Sequence, residues 1–202
     1  MSSSPIGILW TILSIMVAGI CSFAFMQPYW ILEPDKLNCF GVLNYCVKDP
    51  RSQDKVRQFC GFYGGVFNYF SIPSTSWKAT CALFGGGIAL MGLSCLFCFF
   101  MNVAPKAHVR RLSLISGNIQ VLAVASLITG LVVYPLGMKS PLIRHYCYGA
   151  DSFDPGTCQV GWGYMLGIMG TGLSIFCPIM AHYVDVKVHD ENPVIVTPVT
   201  FV

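Results

Sequence analysis

Cysteine and histidine are the residue types in this chain with the widest chemistry, and their positions decide which reactions are open to it. The four histidines lie far apart, and no two of them have the spacing with which a helix presents a pair of metal ligands. His189 and Asp190 are neighbours in the tail, where a catalytic pair would lack the fixed geometry that it needs. The chain also has no Gly-x-Ser-x-Gly motif and no phosphate-binding loop. We therefore predict no enzymatic activity, no metal site and no cofactor.

Five of the ten cysteines lie between long apolar segments, where they could form disulfides: Cys39, Cys46, Cys60, Cys147 and Cys158. Pairing Cys46 with Cys60 closes a short loop, worth about 3 kcal/mol in the chain-entropy model. Pairing Cys147 with Cys158 closes a second loop, and neither pair needs the other to fold first. Cys39 is left over, and three roles stay open for it: an intermolecular bridge, a buried free thiol, or a bond to Cys81.

Three more cysteines, Cys95, Cys98 and Cys177, lie near one end of two apolar segments. Cysteines in such positions can be S-acylated in membrane proteins. The alternative, which we favour, is that they are small buried apolar residues.

The elements that position these residues are predicted to be membrane spans. Hydrophobic residues make up 54% of the 202 residues and charged residues only 10%, and the mean hydropathy is +0.63. The net charge of +3 excludes a phosphate-tracking surface for nucleic acid. A helix needs about 20 apolar residues to cross a hydrocarbon core of about 30 Å. Four segments meet this requirement and contain no Asp, Glu, Lys or Arg: 6–26, 80–102, 112–134 and 161–184.

The four spans predict one tetraspan domain over residues 1–202 with a defined orientation. Residues 103–111 contain Lys106, Arg110 and Arg111 and no acid, which predicts a cytoplasmic loop. The loops 27–78 and 136–160 hold the five loop cysteines, and disulfides persist on the oxidising, extracellular side. We therefore expect a plasma-membrane protein with a cytoplasmic N-terminus and a cytoplasmic tail, 185–202. The first span is too long, and too poor in preceding basic residues, for a cleaved signal peptide.

The first loop predicts a small extracellular sheet. Its segments 29–32, 40–47 and 59–69 are rich in aromatic and β-branched residues and are separated by Gly and Pro. Four aromatic residues of the last segment, which also contains glycines, are expected to be exposed: Phe62, Tyr63, Phe67 and Tyr69. Six others at the span ends are expected to form an interfacial belt: Tyr29, Trp30, Trp77, Tyr134, Trp162 and Tyr164.

The interior of the predicted spans indicates close packing and no transport path. Gly163 and Gly167 have the small-xxx-small spacing, which favours packing inside the bundle over a groove for a partner's helix. Asn118 and Gln120 are interpreted as hydrogen-bonding residues between helices. No span holds an acidic residue, and Pro178 falls in the expected final turn of the fourth span. A carrier or pore is therefore the weakest of the functions considered.

A set of short motifs, in order along nearly the whole chain, resembles the lipoma HMGIC fusion partner-like (LHFPL) tetraspan family. They are Gln27-Pro28-Tyr29-Trp30-Ile31, Phe40-Gly41 with Cys46, Cys60-Gly61, Ile72-Pro73-Ser74 with Trp77-Lys78, Tyr134-Pro135 with Gly137, Arg144 with Cys147 and Gly149, and Gly156 with Cys158, Gly161-Trp162 and Tyr164. That family is distantly related to claudins. This chain also matches the claudin motif at Trp30, Gly41, Cys46 and Cys60. Asn44 stands where claudins have a second Trp. Cys39 and Met138-Lys139-Ser140 also depart from the family pattern.

The resemblance implies the fold class: an all-α membrane four-helix bundle with a small extracellular antiparallel β-sheet, like the claudin tetraspan. It implies a left-handed bundle, with four strands from the first loop and one from the third. It also implies a role as an auxiliary subunit of a larger integral membrane channel or receptor. The alternative is a claudin-like adhesion or junction component. The partner's identity and the formation of a homodimer stay open.

The last three residues, Thr200, Phe201 and Val202, place a hydroxyl two positions before a C-terminal valine. This ending predicts capture by a PDZ scaffold, in which the carboxylate sits in a backbone nest and the peptide adds a strand.

Overall fold

The computed structural model describes residues 5–34, 38–48, 58–103 and 106–191. Within them, four helical stretches are long and apolar enough to cross a membrane. They are formed by α1 (Pro5–Met26), α2 (Thr75–Val103), α3 (Lys106–Val133) and the consecutive pair α5 (Trp162–Ser174) and α6 (Phe176–Glu191). α2 and α3 begin several residues before the predicted spans, because hydropathy marks the part in hydrocarbon whereas backbone hydrogen bonding sets the helix ends.

The hydrogen bonding of the fourth helix is interrupted at Ile175, between α5 and α6, although the backbone there keeps helical angles, φ −61° and ψ −32°. Pro178 explains the break: it has no N–H to donate to the carbonyl of Ser174, and its ring crowds that carbonyl. The prediction that Pro178 lies in the final turn was wrong, since α6 continues to Glu191. Hydropathy could not show this, because most of the residues that extend the helix, 185–191, are polar or charged.

Helix α1 packs against α2, α5 and α6, while α2 and α3 form the most extensive helix pair in the bundle. Glycine residues allow the backbones of α2 and α3 to approach closely. A Cβ on Gly87 would lie 2.8 Å from Leu127 Cγ, and one on Gly130 would lie 2.8 Å from Phe84 Cβ. The two backbones therefore approach at positions where only glycine fits.

The sheet has five strands in the order β4-β3-β2-β1-β5, and all neighbours are antiparallel. The first four are β1 (Ile31–Leu32), β2 (Cys39–Phe40), β3 (Asn44–Lys48) and β4 (Gln58–Phe62), and β5 (Gln159–Val160) comes from the third loop. This confirms the expected four-plus-one arrangement. The predicted strand over 59–69 is shorter than expected because Gly64 and Gly65, with φ of +84° and +85°, turn the chain out of the sheet.

Among the described residues, three short helical turns complete the outer part. Two are 3₁₀ turns, Tyr69–Ser71 before α2 and Tyr134–Lys139 after α3, and the third is helix α4 (Pro141–Tyr146). The disulfides Cys46–Cys60 and Cys147–Cys158 are both present, as predicted. Cys39 and Cys81 are both free and buried, so of the three roles left open for Cys39 the bond to Cys81 is not formed and the buried free thiol is observed.

Candidate partner-binding surface

Aromatic rings join the sheet to the outer helix ends. We call Trp30, Trp77, Tyr134 and Tyr164 the aromatic cluster. The ring centroid of Tyr134 lies 4.7 Å from that of Trp30, 5.3 Å from that of Trp77 and 5.6 Å from that of Tyr164. Trp30, Trp77 and Tyr134 are fully buried. These contacts bring together residues from both sides of the sheet–helix boundary.

Hydrogen bonds fix the orientation of each ring in the cluster. Trp30 Nε1 donates to the carbonyl of Ala24 at 2.7 Å, which anchors β1 to the end of α1. Tyr164 Oη donates to the carbonyl of Leu131 at 3.0 Å, which joins α5 to α3. A buried polar group without a hydrogen-bond partner costs free energy, so these bonds favour this one arrangement of the rings over others.

The expected interfacial belt is therefore wrong for three of its six members, since Trp30, Trp77 and Tyr134 belong to the core. Trp162 fits the expectation: it is 46% exposed and its ring stacks on Tyr29 with centroids 5.5 Å apart. Position near a span end could not separate the two groups, because the sheet covers only some of the aromatic residues there.

Gly41 lies where the sheet meets the end of α1. A Cβ there would overlap the carbonyl oxygen of Gln27, so the close approach requires glycine. The Gly41 carbonyl accepts from Tyr63 Oη at 3.1 Å, and Asn44 Nδ2 donates to the carbonyl of Met26 at 2.9 Å. Asn44 thus ties β3 to α1 by a polar contact.

Pro135 and Gly137 position the third loop. Pro135 lies near the start of the 3₁₀ turn Tyr134–Lys139, and its carbonyl accepts from the N–H of Phe153 at 3.4 Å. Gly137 leaves room for the indole of Trp77, which a Cβ at this position would overlap. Phe153 itself has φ of +62°, a conformation that costs free energy for a non-glycine residue.

Gly163 and Gly167 both lie at packing contacts, but of different kinds. Gly163 connects the start of α5 to the segment that follows α1, because its N–H donates to the carbonyl of Tyr29 at 2.9 Å. Gly167 faces side chains from other helices, and a Cβ there would lie 3.4 Å from Leu131 Cδ2 and 3.7 Å from Phe84 Cζ.

Between the sheet and α4 lies an open groove of about 400 Å³, which we call the outer groove. Its lining is mostly aromatic and aliphatic: Phe40, Tyr45, Val47, Tyr63, Leu142 and Tyr146 are the large side chains. Tyr63 was expected to be exposed but is buried, and burial raises the pKa of its phenol well above the usual value. The groove therefore offers apolar surface and neutral hydroxyls and no acid–base pair, which suits a protein side chain better than a reaction.

A second polar network lies inside the bundle, at the opposite end from the sheet. Gln120 is fully buried: its Oε1 accepts from Trp10 Nε1 at 2.9 Å, and its Nε2 donates to Ser14 Oγ at 2.9 Å. Ser94 Oγ and Ser116 Oγ lie 2.7 Å apart and link α2 to α3. Sequence reasoning found Gln120 but missed its partners, since serine and tryptophan in apolar helices give no distinctive pattern. Asn118 is exposed and does not join the network.

The three cysteines considered for S-acylation are not equivalent. Cys98 and Cys177 are fully buried, so the interpretation as small core residues holds for them and acylation does not. Cys95 is half-buried and stays a candidate. The predicted PDZ-binding residues Thr200, Phe201 and Val202, and the side chains of Lys106 and Arg110, lie outside the described part of the chain.

Comparisons with known proteins cover nearly the whole of this arrangement. The family model for lipoma HMGIC fusion partner-like protein matches residues 6–184. LHFPL tetraspan subfamily member 3 protein from Danio rerio is 33% identical, over 84% of this chain and 76% of its own. Member 2 from Homo sapiens is 27% identical over 91% of this chain and 89% of its own. Member 7 from Xenopus tropicalis is 29% identical over 91% of this chain and 93% of its own.

Proposed function

The chain belongs to the lipoma HMGIC fusion partner-like family of tetraspan membrane proteins, and on that premise we propose that it is a non-enzymatic auxiliary subunit of a larger channel or receptor. In this role it stabilises, delivers or gates a partner that conducts or signals. The observation that carries the proposal is the outer groove, an apolar surface held in place by the aromatic cluster and two disulfides. Apolar, well-positioned aromatic surfaces are what protein interfaces bury at their centres.

The bundle interior supports a binding role over a transport role. The four candidate spans contain few charged residues, and the buried amide of Gln120 is bonded to Trp10 and Ser14. A conduction path needs polar groups that face water or a passing ion. Here the buried amide serves to hold helices together, so we expect the protein alone to carry no current.

We place the sheet on the extracellular side of the plasma membrane and both termini in the cytoplasm. The two disulfides support this orientation, because they require an oxidising compartment. A tag after Val202 should be protected from antibody in intact cells, and a tag near Asp49 should be accessible. The reverse labelling would overturn the orientation.

The partner is tested by copurification after mild detergent extraction, with two variants of α4. Leu142 lines the outer groove, whereas His145 is exposed on the same short helix and does not line it. Leu142→Glu should lose a polytopic channel or receptor that the wild type retains, and His145→Glu should keep it. If both variants retain the channel or receptor equally, the outer groove is not part of the interface.

Two further outcomes would replace the proposal. A conductance from the purified protein alone in liposomes would favour a pore. Strands of self-associated protein, together with a leaky epithelium after deletion, would favour the claudin-like junction role.

We also propose that the tail residues Thr200, Phe201 and Val202 bind a PDZ scaffold that places the complex at a membrane site. A tail peptide should bind PDZ domains, and its Val202→Asp version should not. Equal binding by the two peptides would exclude this mode.

A further inference from the structure

A compact loop between β4 and α2 exposes apolar side chains that no described part of the chain covers. Val66 is 76% exposed, Phe67 56% and Phe70 80%. The sequence from Gln58 to Trp77 contains no charged residue, although charged residues precede it closely. An apolar patch of this kind in water marks a contact surface. We call residues 64–70 the apolar loop.

The register of the sheet shows at which level the apolar loop lies. Asn44, at the start of β3, donates to the carbonyl of Met26, the last residue of α1. Asn44 pairs with Phe62, the last residue of β4. The chain therefore enters the loop at the level where α1 ends. It leaves the loop into α2, which begins at Thr75, so both ends of the loop adjoin ends of membrane-spanning helices.

The opposite end of the same strand pair lies away from the helix ends. Lys48 pairs with Gln58, four residues along β3 from Asn44. At about 3.3 Å per residue, this end lies roughly 13 Å farther along the strand. Its side chains are charged and polar, whereas the apolar loop contains no charged residue. The sheet thus has a polar outer end and an apolar end at the helix boundary.

Hydrogen bonds within the loop hold its second half in a compact turn. The N–H of Phe70 donates to Asn68 Oδ1 at 3.0 Å, and the N–H of Ser71 donates to the Asn68 carbonyl at 3.0 Å. Gly64 approaches Ser71 so closely that a Cβ would lie 2.7 Å from Ser71 Oγ, which closes the loop on itself. The ring of Phe67 packs against Phe62 with centroids 6.1 Å apart.

We propose that the apolar loop inserts into the membrane leaflet on the sheet's side, with Val66, Phe67 and Phe70 at the boundary of headgroups and acyl chains. The occupant is lipid, because the loop lies at the level where α1 ends, and Phe23 and Met26 near that end of α1 are exposed as well. Trp162 and Tyr29, stacked at the same helix ends, mark that boundary in the way interfacial aromatic residues do. Amphipathic segments are held at this depth by apolar side chains.

Tryptophan fluorescence in nanodiscs tests the insertion directly. Phe70→Trp places a reporter in the apolar loop, and Lys48→Trp places one at the polar end of the sheet; the wild-type signal is subtracted from each. The Phe70→Trp signal should be blue-shifted, shielded from acrylamide, and quenched by lipids brominated near the headgroup. The Lys48→Trp signal should be red-shifted, quenched severalfold more by acrylamide, and insensitive to brominated lipid.

Retention of the Cys46–Cys60 bond in each variant establishes that it is folded. If the Phe70→Trp signal behaves like that of Lys48→Trp in nanodiscs, the insertion is excluded and the loop is left as a surface for a protein. Since only the purified chain and lipid are present, the result does not depend on the proposed channel partner.

Discussion

The indole of Trp77 in α2 lies parallel to the phenol of Tyr134 after α3, with ring centroids 5.3 Å apart and an interplanar angle of 5°. Trp77 Nε1 donates to the carbonyl of Tyr134 at 3.2 Å, and Tyr134 Oη donates to the carbonyl of Phe40 in β2 at 3.0 Å. One stacked pair thus connects two helices to the sheet. Changes at either ring should affect both the bundle and the outer groove.

Removing the Tyr134 hydroxyl tests this connection. Tyr134→Phe keeps the ring but removes the hydroxyl that donates to the carbonyl of Phe40. The loss of this hydrogen bond should lower the free energy of unfolding by about 0.5–1.5 kcal/mol. Thermal unfolding in detergent measures the loss. Tyr183→Phe is the control, because Tyr183 is an exposed residue of α6 and its change should have little effect. Equal melting temperatures for the two variants would contradict the assigned role.

A methyl group at Gly137 should disturb the same pair from the other side. Gly137→Ala places a Cβ into the indole of Trp77, so overpacking should cost about 1–3 kcal/mol. Gly86→Ala is the matched control, since no atom lies within 4 Å of a Cβ at that helical position. The control should be neutral or slightly stabilising. A stable Gly137→Ala protein with unchanged melting would show that the contact relaxes freely.

The spans and the disulfides could be predicted because each follows from a single physical requirement. Crossing hydrocarbon needs a long apolar run, which composition reports directly. The outer cysteines fall into two loops, and the pairings Cys46–Cys60 and Cys147–Cys158 follow if each loop closes on itself.

The burial of particular aromatic residues could not be predicted in this way. Tyr63 and Phe67 lie on either side of Gly64 and Gly65 in one segment, yet Tyr63 is buried and Phe67 is exposed. What separates them is the turn at Gly64 and Gly65, which leaves Tyr63 on the sheet and carries Phe67 away from it. The Gly-Gly pair marks a turn in the sequence, but it does not show which of the two rings the rest of the fold covers.

Gln120 should stabilise the end of the bundle away from the sheet. Gln120→Ala removes the partner of Trp10 Nε1 and Ser14 Oγ and leaves a space at a fully buried position. Hydrogen bonds between membrane helices contribute about 0.6 kcal/mol on average and up to about 1.7 kcal/mol, so the loss should exceed that of Asn118→Ala, whose side chain is exposed. Melting in detergent compares them. A larger effect at Asn118 would reverse this assignment.

Burial of Cys39 should make stability depend on pH in the alkaline range. Burial raises the pKa of its thiol to about 11, whereas an unfolded thiol has a pKa of about 8.5. Between these values the unfolded chain loses the proton and the folded chain keeps it, so stability falls as pH rises through the window. Wild type should lose more stability than Cys39→Ala between about pH 8 and about pH 10.5. Parallel pH profiles for the two proteins would refute the prediction.

Cys39 should also be able to replace Cys60. Cys39 and Cys60 lie opposite Cys46 on its two neighbouring strands, so the three side chains share one face of the sheet. Directly opposed residues have Cα atoms about 4.5–5.5 Å apart, a separation that a disulfide can span. In Cys60→Ser, the secretory oxidants should remove two electrons and two protons from Cys39 and Cys46 and form a new bond. Non-reducing peptide mapping should find it, while Cys39→Ala with Cys60→Ser leaves Cys46 open to alkylation. If Cys46 can be alkylated in Cys60→Ser, the strands hold the thiols of Cys39 and Cys46 apart and the prediction is wrong.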